Sequence, residues 1–255
     1  MVLSVASLGS GSKGNATLVR SAQGCILIDC GFNFRQLSAR LVPAGLTPDD
    51  LTAVLVTHEH GDHASGIGVL ARRTRVPVYA TRGTWRGMNL TPGPKDGCIR
   101  GEHSFDLGDV AVRAVTVPHD AREPVQYCFR AGGQQLGVLT DLGHVSPHVV
   151  EAYKGCDGLL LEFNHEPELL AEGPYPPMLK RRVGGPFGHL ANAQAEGLLG
   201  ALMPERLQFL LAGHLSAQNN RRELVAEVLD RTLRGERTTM HIAQQDGFSG
   251  WFSLG

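Results

Sequence analysis

Val54-Leu55-Val56-Thr57-His58-Glu59-His60-Gly61-Asp62-His63 runs a short apolar, β-branched segment straight into four potential metal ligands within six residues. The run has the composition of a buried strand, and the polar cluster with its glycine marks the strand's exit. Where the backbone turns, the alternate residues His58 and His60 can face one point while Asp62 and His63 face another. Imidazoles and a carboxylate placed in this way suit two divalent cations close together.

The same grammar of strand followed by polar residue recurs. Cys25-Ile26-Leu27-Ile28 leads to Asp29, Val115-Thr116-Val117-Pro118 to His119, Leu136-Gly137-Val138-Leu139-Thr140 to Asp141, and Phe209-Leu210-Leu211-Ala212-Gly213 to His214. One such residue alone is ordinarily a turn cap. Four of them beside the His58–His63 cluster read as a shared metal centre.

The remaining sequence is consistent with a globular α/β protein. Its 255 residues are 42% apolar and 19% charged, with 24 Lys+Arg against 25 Asp+Glu and a formal net charge of −1. A disordered chain or a general polyanion binder is disfavoured, although a local basic patch is not. No apolar run reaches the roughly 20 residues of a membrane span. The first nine residues carry no basic leader, so a cytoplasmic location without membrane contact is expected. Five cysteines with no C-x-x-C spacing argue against a disulfide framework.

Apolar runs predict strands over residues 2–7, 16–21, 25–29, 53–57, 76–80, 110–117, 125–130, 135–140, 158–162, 207–212 and 239–243. Helical patterns cover residues 34–42, 64–73, 146–154, 190–202 and 220–233. Arg130-Ala131-Gly132-Gly133-Gln134 reads as a hairpin turn, and the Pro- and Gly-rich stretch Glu166–Pro186 as a long functional loop. With no composition break, one domain over residues 1–255 is expected, built as two sheets with helices outside.

The spacing of Asp29, His58-x-His60-x-Asp62-His63, His119, Asp141 and His214 resembles the signature of metallo-β-lactamase-fold hydrolases, over nearly the whole chain. Within that superfamily the chain is similar to the WalJ (YycJ) group. The carriers are Ser7-Leu8-Gly9-Ser10-Gly11-Ser12-Lys13-Gly14-Asn15, His119-Asp120-Ala121, Thr140-Asp141-Leu142-Gly143, Gly188-His189-Leu190 and His214-Leu215-Ser216-Ala217-Gln218-Asn219-Asn220. The resemblance implies a four-layer αββα sandwich with a dinuclear centre. One metal would take His58, His60 and His119, and the other Asp62, His63 and His214. Asp141 would bridge them, and Asp29 would orient ligands from behind. It also implies a DNA exonuclease working from the 5′ end in DNA repair. Glu162-Phe163-Asn164-His165-Glu166 and Gly188-His189-Leu190-Ala191-Asn192 depart from the group's pattern at Phe163 and Ala191, and neither departure touches an implied ligand.

The chemistry follows from the ligands. Two cations sharing a carboxylate lower the pKa of a water and neutralise transition-state charge, with Asp62 a catalytic ligand. Hard oxygen donors and no ligating cysteine favour Mn²⁺, with Zn²⁺ the alternative. His189 is a candidate leaving-group acid or phosphate contact. It follows the turn Gly184–Gly188, near the basic residues Lys180, Arg181 and Arg182. Ser216, Asn219 and Asn220 precede the last long helix. Each of these two helix starts is a natural anion site, which favours a phosphorylated substrate; Ser216 and Asn219 as simple caps is the alternative. Arg72, Arg73, Arg75, Arg82 and Arg86 could line a nucleic-acid groove with Trp85 stacking on bases, or form a solvated face. Histidines 103, 144, 148, 165 and 241 read as surface or structural. The expected substrate is therefore nucleic acid, DNA before RNA. The alternatives are RNA processing, a small cyclic phosphodiester, or a non-catalytic metal-binding regulator. The last commonly lacks ligands, whereas all seven are present here.

Overall fold

The computed structural model describes residues 2–202, 206–234 and 237–255. Fourteen strands are assigned among them: β1 Ser4–Gly9, β2 Ala16–Arg20, β3 Cys25–Ile28, β4 Ala53–Leu55, β5 Val78–Thr81, β6 Gly97–Ile99, β7 Ser104–Leu107, β8 Val110–Thr116, β9 Val125–Ala131, β10 Gln134–Leu139, β11 Gly158–Glu162, β12 Phe209–Gly213, β13 Thr239–Ile242 and β14 Phe252–Ser253. The helices are α1 Phe34–Leu41, α2 Gly61–Ala64, α3 Ile67–Thr74, α4 Arg82–Gly87, α5 Pro147–Tyr153, α6 Pro167–Glu172, α7 Pro177–Val183, α8 Asn192–Ala201 and α9 Arg222–Thr232.

The strands form two seven-stranded sheets of the same design, ordered β14-β1-β2-β3-β4-β5-β6 and β13-β12-β11-β10-β9-β8-β7. In the first, β14 to β3 pair antiparallel and β3 to β6 parallel. In the second, β7 to β10 pair antiparallel and β10 to β13 parallel. Parallel strands need crossovers, and the crossover helices cover the outer faces. Three apolar layers result. Ile26, Leu55, Tyr127, Phe129 and Leu211 fill the space between the sheets. Leu37, Leu41, Leu70 and Trp85 lie outside the first sheet, and Tyr153, Leu198, Leu199 and Leu229 outside the second. Each such side chain contributes about 1.5–3 kcal/mol by leaving water. Tyr127 ties the sheets together, its hydroxyl donating to Val56 O at 2.8 Å. This is the expected αββα sandwich.

All eleven predicted strands and all five predicted helices are present within a few residues. The hairpin between β9 and β10 closes on Gly132 and Gly133, with φ of 58° and 81°, the left-handed pair that a two-residue turn requires. The sequence reading missed β6, β7 and β14, which are short or alternate weakly, and α4, a six-residue helix capped by Thr81. The stretch Glu166–Pro186 is not one long loop. Pro167 and Pro177 each start a short helix at the first position, where a missing N–H costs nothing. Among the described residues no helix is long and apolar enough to cross a membrane.

Candidate metal centre

The parallel strands β3, β4, β10, β11 and β12 point their C-terminal ends at one edge of the sandwich, and the polar residues after them converge there. Asp29, Asp141 and His214 each exit their strand with positive φ, at 61°, 51° and 55°. A left-handed non-glycine residue carries a local conformational cost, so three at one edge mark a site held by the fold around it.

Two ligand clusters result. His58 Nε2 lies 3.0 Å from His60 Nδ1, which is 3.3 Å from His119 Nε2. His63 Nε2 and His214 Nε2 lie 3.6 and 3.7 Å from Asp62 Oδ2. The ligand atoms of each trio all fall within 4.8 Å of one another. Asp141 sits between the trios, with Oδ2 3.2 Å from His63 Nε2 and Oδ1 3.9 Å from His119 Nε2.

The far nitrogen of each imidazole is engaged by the protein. His58 Nδ1 meets Thr57 Oγ1 at 2.9 Å, whose hydroxyl donates to Asp29 Oδ2 at 2.8 Å. His63 Nδ1 lies 2.8 Å from Asp29 Oδ2, His119 Nδ1 3.0 Å from Gly188 O, and His214 Nδ1 3.3 Å from Glu162 Oε2. His60 is turned the other way, with Nε2 3.4 Å from the Arg182 guanidinium, which can only donate, and 3.7 Å from Asp120 Oδ1. Acceptors on the far nitrogens of His58, His63, His119 and His214 hold a proton there and orient each ring with its other nitrogen toward the centre, as metal coordination requires. Among the described residues His214 Nε2 and Asp141 Oδ2, both buried, have no hydrogen-bond partner. Orphaned atoms of this kind are costly unless something absent from the chain satisfies them. Six side chains around a buried carboxylate, aimed at two points, fit two divalent cations.

The charges agree. Burial opposes ionisation of Asp141, but His214 and His63 outweigh it and hold the carboxyl well below its usual range. Burial likewise disfavours a charged His58, and with neighbouring His63 keeps it neutral and able to ligate. Glu162 is wholly buried, yet contacts from His189 and His214 lower it to about 2. Glu162 was missed by the sequence reading. Its signal was position, since it ends β11 just as Asp141 follows β10.

A cleft of about 330 Å³ opens over the centre, lined by His60, Asp62, Asp141, His189 and His214 and by Ser12, Tyr175, Arg182 and Ser216. His189 Nδ1 faces Glu162 Oε2 at 3.2 Å and Asp141 Oδ1 at 3.6 Å. Of the basic run, Arg182 and not Lys180 or Arg181 lines the cleft, where it pairs with Asp120. Lys180 Nζ donates to Ala171 O, and Arg181 is exposed. Ser216 lines the cleft while its hydroxyl accepts from Asn219 N at 3.1 Å. Asn219 and Asn220 turn inward; Asn220 Nδ2 donates to Phe163 O at 2.8 Å and to Asn192 Oδ1 at 2.9 Å. Trp85 is 5% exposed and its Nε1 donates to Gly97 O, so it presents no open face for a base, contrary to the sequence expectation. The departures are benign: Phe163 fills the core, and Ala191 heads α8 with Gln194 Oε1 accepting from its N–H.

Residues 25–210 match the family model described as the Beta-lactamase superfamily domain. The chain is 35% identical over 236 residues to the exodeoxyribonuclease YycJ of Bacillus anthracis, covering 88% of each chain. It is 34% identical to the exodeoxyribonuclease WalJ of Streptococcus pneumoniae over 225 residues, 85% of this chain and 83% of that one. The metallo-β-lactamase fold protein YhfI of Bacillus subtilis superposes with a TM-score of 0.75 over 99% of both chains at 16% identity, which bears on the fold alone. By model match, identity and architecture together, the chain belongs to the metallo-β-lactamase-fold branch of the β-lactamase superfamily, in the group of YycJ and WalJ.

Proposed function

We propose that the protein is a dinuclear-metal phosphodiesterase that degrades DNA exonucleolytically from the 5′ end, in the service of DNA repair. The observation that carries the reading is the pair of ligand trios with Asp141 between them, set in the floor of one cleft. The exodeoxyribonuclease names of YycJ and WalJ support DNA over RNA as substrate. His58, His60 and His119 would hold one cation and Asp62, His63 and His214 the other. Mn²⁺ is favoured over Zn²⁺ by the two carboxylates and the absence of a ligating thiol.

When bound, such cations lower the pKa of water and stabilise the charge that develops on a phosphodiester. The chain's own residues supply the rest. Glu162 fixes His189 through Nδ1, leaving Nε2 as the nitrogen able to protonate a leaving alkoxide. Arg182 and Asp120 form a buttress beside His60, and the Arg182 guanidinium is the cation in the cleft suited to a phosphate oxygen. Ser12 and Ser216 offer hydroxyls on the facing wall.

The test is a time course with Mn²⁺ and 5′-phosphorylated duplex DNA labelled at its 3′ end, beside RNA of the same sequence and an Asp62→Ala control. Stepwise shortening of DNA from the 5′ end, lost in the control, is the expected result. Cleavage of RNA alone would move the reading to RNA processing, and activity retained by Asp62→Ala would overturn it.

A further inference from the structure

We propose that a cationic groove outside the metal centre carries the sugar-phosphate backbone of the polynucleotide beyond the scissile bond; this rests on the nuclease reading above. The groove lies along α4 and the exposed edge at β6, has a volume of about 790 Å³, and is lined by Arg82, Arg86, Arg100 and Cys98. The three arginines are exposed and make no ion pair among the described residues, and the same holds for Arg72, Arg73 and Arg75 on α3 and just after it. Glu123 is the acid in the groove, and its Oε2 is already engaged by Gly83 N–H at 2.7 Å. Three guanidiniums against one carboxylate around one concavity, in a chain of net charge −1, form a local site for a polyanion.

The groove and the centre are linked through shared lining residues. Gly61 lines both the metal cleft and a shallow groove along α3 that also holds Arg72 and Leu90. Leu90 in turn lines the cationic groove. A strand leaving the cleft past Gly61 and Leu90 therefore meets arginines in succession. Because Trp85 is buried at this site with its indole N–H satisfied, the groove has guanidiniums for phosphates and no aromatic platform for bases. It should bind backbone without sequence preference.

Cys98 supplies a reporter, being the exposed thiol of the five. A phosphorothioate-linked, 5′-phosphorylated 20-mer should slow maleimide labelling of Cys98 several-fold, and a dinucleotide should not. In an Arg82→Gln, Arg86→Gln, Arg100→Gln triple variant that protection should disappear. The salt dependence of 20-mer binding should become shallower by about 2 in log–log slope. The ratio of kcat/KM for a 20-mer to that for a dinucleotide should fall about tenfold, and the matching triple lysine variant should recover most of the loss. An unchanged melting temperature shows that the glutamine variant folds. Unprotected Cys98, or a variant that keeps the parent's slope and length ratio, overturns the groove and leaves the nuclease reading standing. A parent protein that neither binds nor cuts DNA of any length overturns that reading and the groove with it.

Discussion

Asp29 and Asp141 occupy equivalent places in the two sheets. Each leaves the central strand, β3 or β10, where pairing changes from antiparallel to parallel, and each does so with positive φ. Their surroundings have diverged. Asp29 is saturated by Thr57 N, Thr57 Oγ1 and His63 Nδ1, all at 2.8 Å. Asp141 keeps a buried oxygen with no hydrogen-bond partner among the described residues, 3.2 Å from His63 Nε2. One carboxylate of the pair builds the scaffold and the other is left for the ions.

Replacing Asp29 separates those roles. Asp29→Ala strands a buried N–H and a buried imidazole nitrogen and puts alanine at φ 61°, so urea unfolding of the metal-free protein should show a loss of about 3 kcal/mol or more. Asp29→Asn tolerates the left-handed backbone and keeps one acceptor, and should lose about half as much. In both variants metal affinity should drop roughly 10–100-fold, measured by competition with a chromophoric chelator, because His63 is no longer oriented. Variants matching the parent in both measurements would remove Asp29 from this role.

Metal removal should be visible in stability. Cations satisfying His214 Nε2 and Asp141 Oδ2 bind the folded chain and not the unfolded one. At a free metal concentration 100 times Kd, one site adds about 2.7 kcal/mol, or roughly 5–10 °C in Tm for a chain of this size. Chelation should reverse the shift, and His214→Ala should halve it. A Tm indifferent to Mn²⁺ and Zn²⁺ would contradict the site.

The legible parts of the chain are those where chemistry and periodicity coincide. His58–His63 could be read because a buried strand and a ligand cluster share ten residues, and the fold followed because each further ligand repeats that grammar. Glu162 escaped because it completes a strand instead of following one, so only its place beside the end of β10 marked it. Arg182 was hidden among three neighbouring cations, since only the pitch of α7 decides which one enters the cleft. Asn219 and Asn220 looked like anion donors, yet Asn219 Nδ2 is consumed by Ser216 Oγ three residues earlier and Asn220 Nδ2 by Phe163 O and Asn192 Oδ1, which lie far away in sequence.

Acid should weaken the fold through His165. Its ring is buried, Nδ1 has no partner among the described residues, and burial lowers its pKa to about 4 despite the opposing charge of Glu162. The unfolded chain, with an ordinary value near 6.5, binds the proton that the folded chain refuses between these limits. Stability from this group is therefore complete above about pH 6.5 and is lost as the pH falls toward 4, by about 3 kcal/mol at most. Urea unfolding at intervals from pH 4 to 7 should show a steeper fall for the parent than for His165→Gln. Parallel curves would place the sensitivity elsewhere.

Gly31 should govern one cation and not the other. A Cβ there would overlap the carbonyl group of Asp62, which also accepts from Asn15 N–H at 2.8 Å, so the Asp62 backbone must shift. Overpacking of this kind costs about 1–3 kcal/mol. The displacement falls first on Asp62 and His63, both in the second trio, while the overlap does not involve His58, His60 or His119. Gly31→Ala should therefore retain close to one equivalent of metal after gel filtration where the parent retains two, measured by plasma emission. Gly197, exposed on α8 with open space around its Cα, provides the control: Gly197→Ala should bind both equivalents and gain about 0.5–1 kcal/mol from the better helix former. Full metal loading in Gly31→Ala would show that Asp62 does not depend on this contact. Equal loss in both variants would point to a global effect.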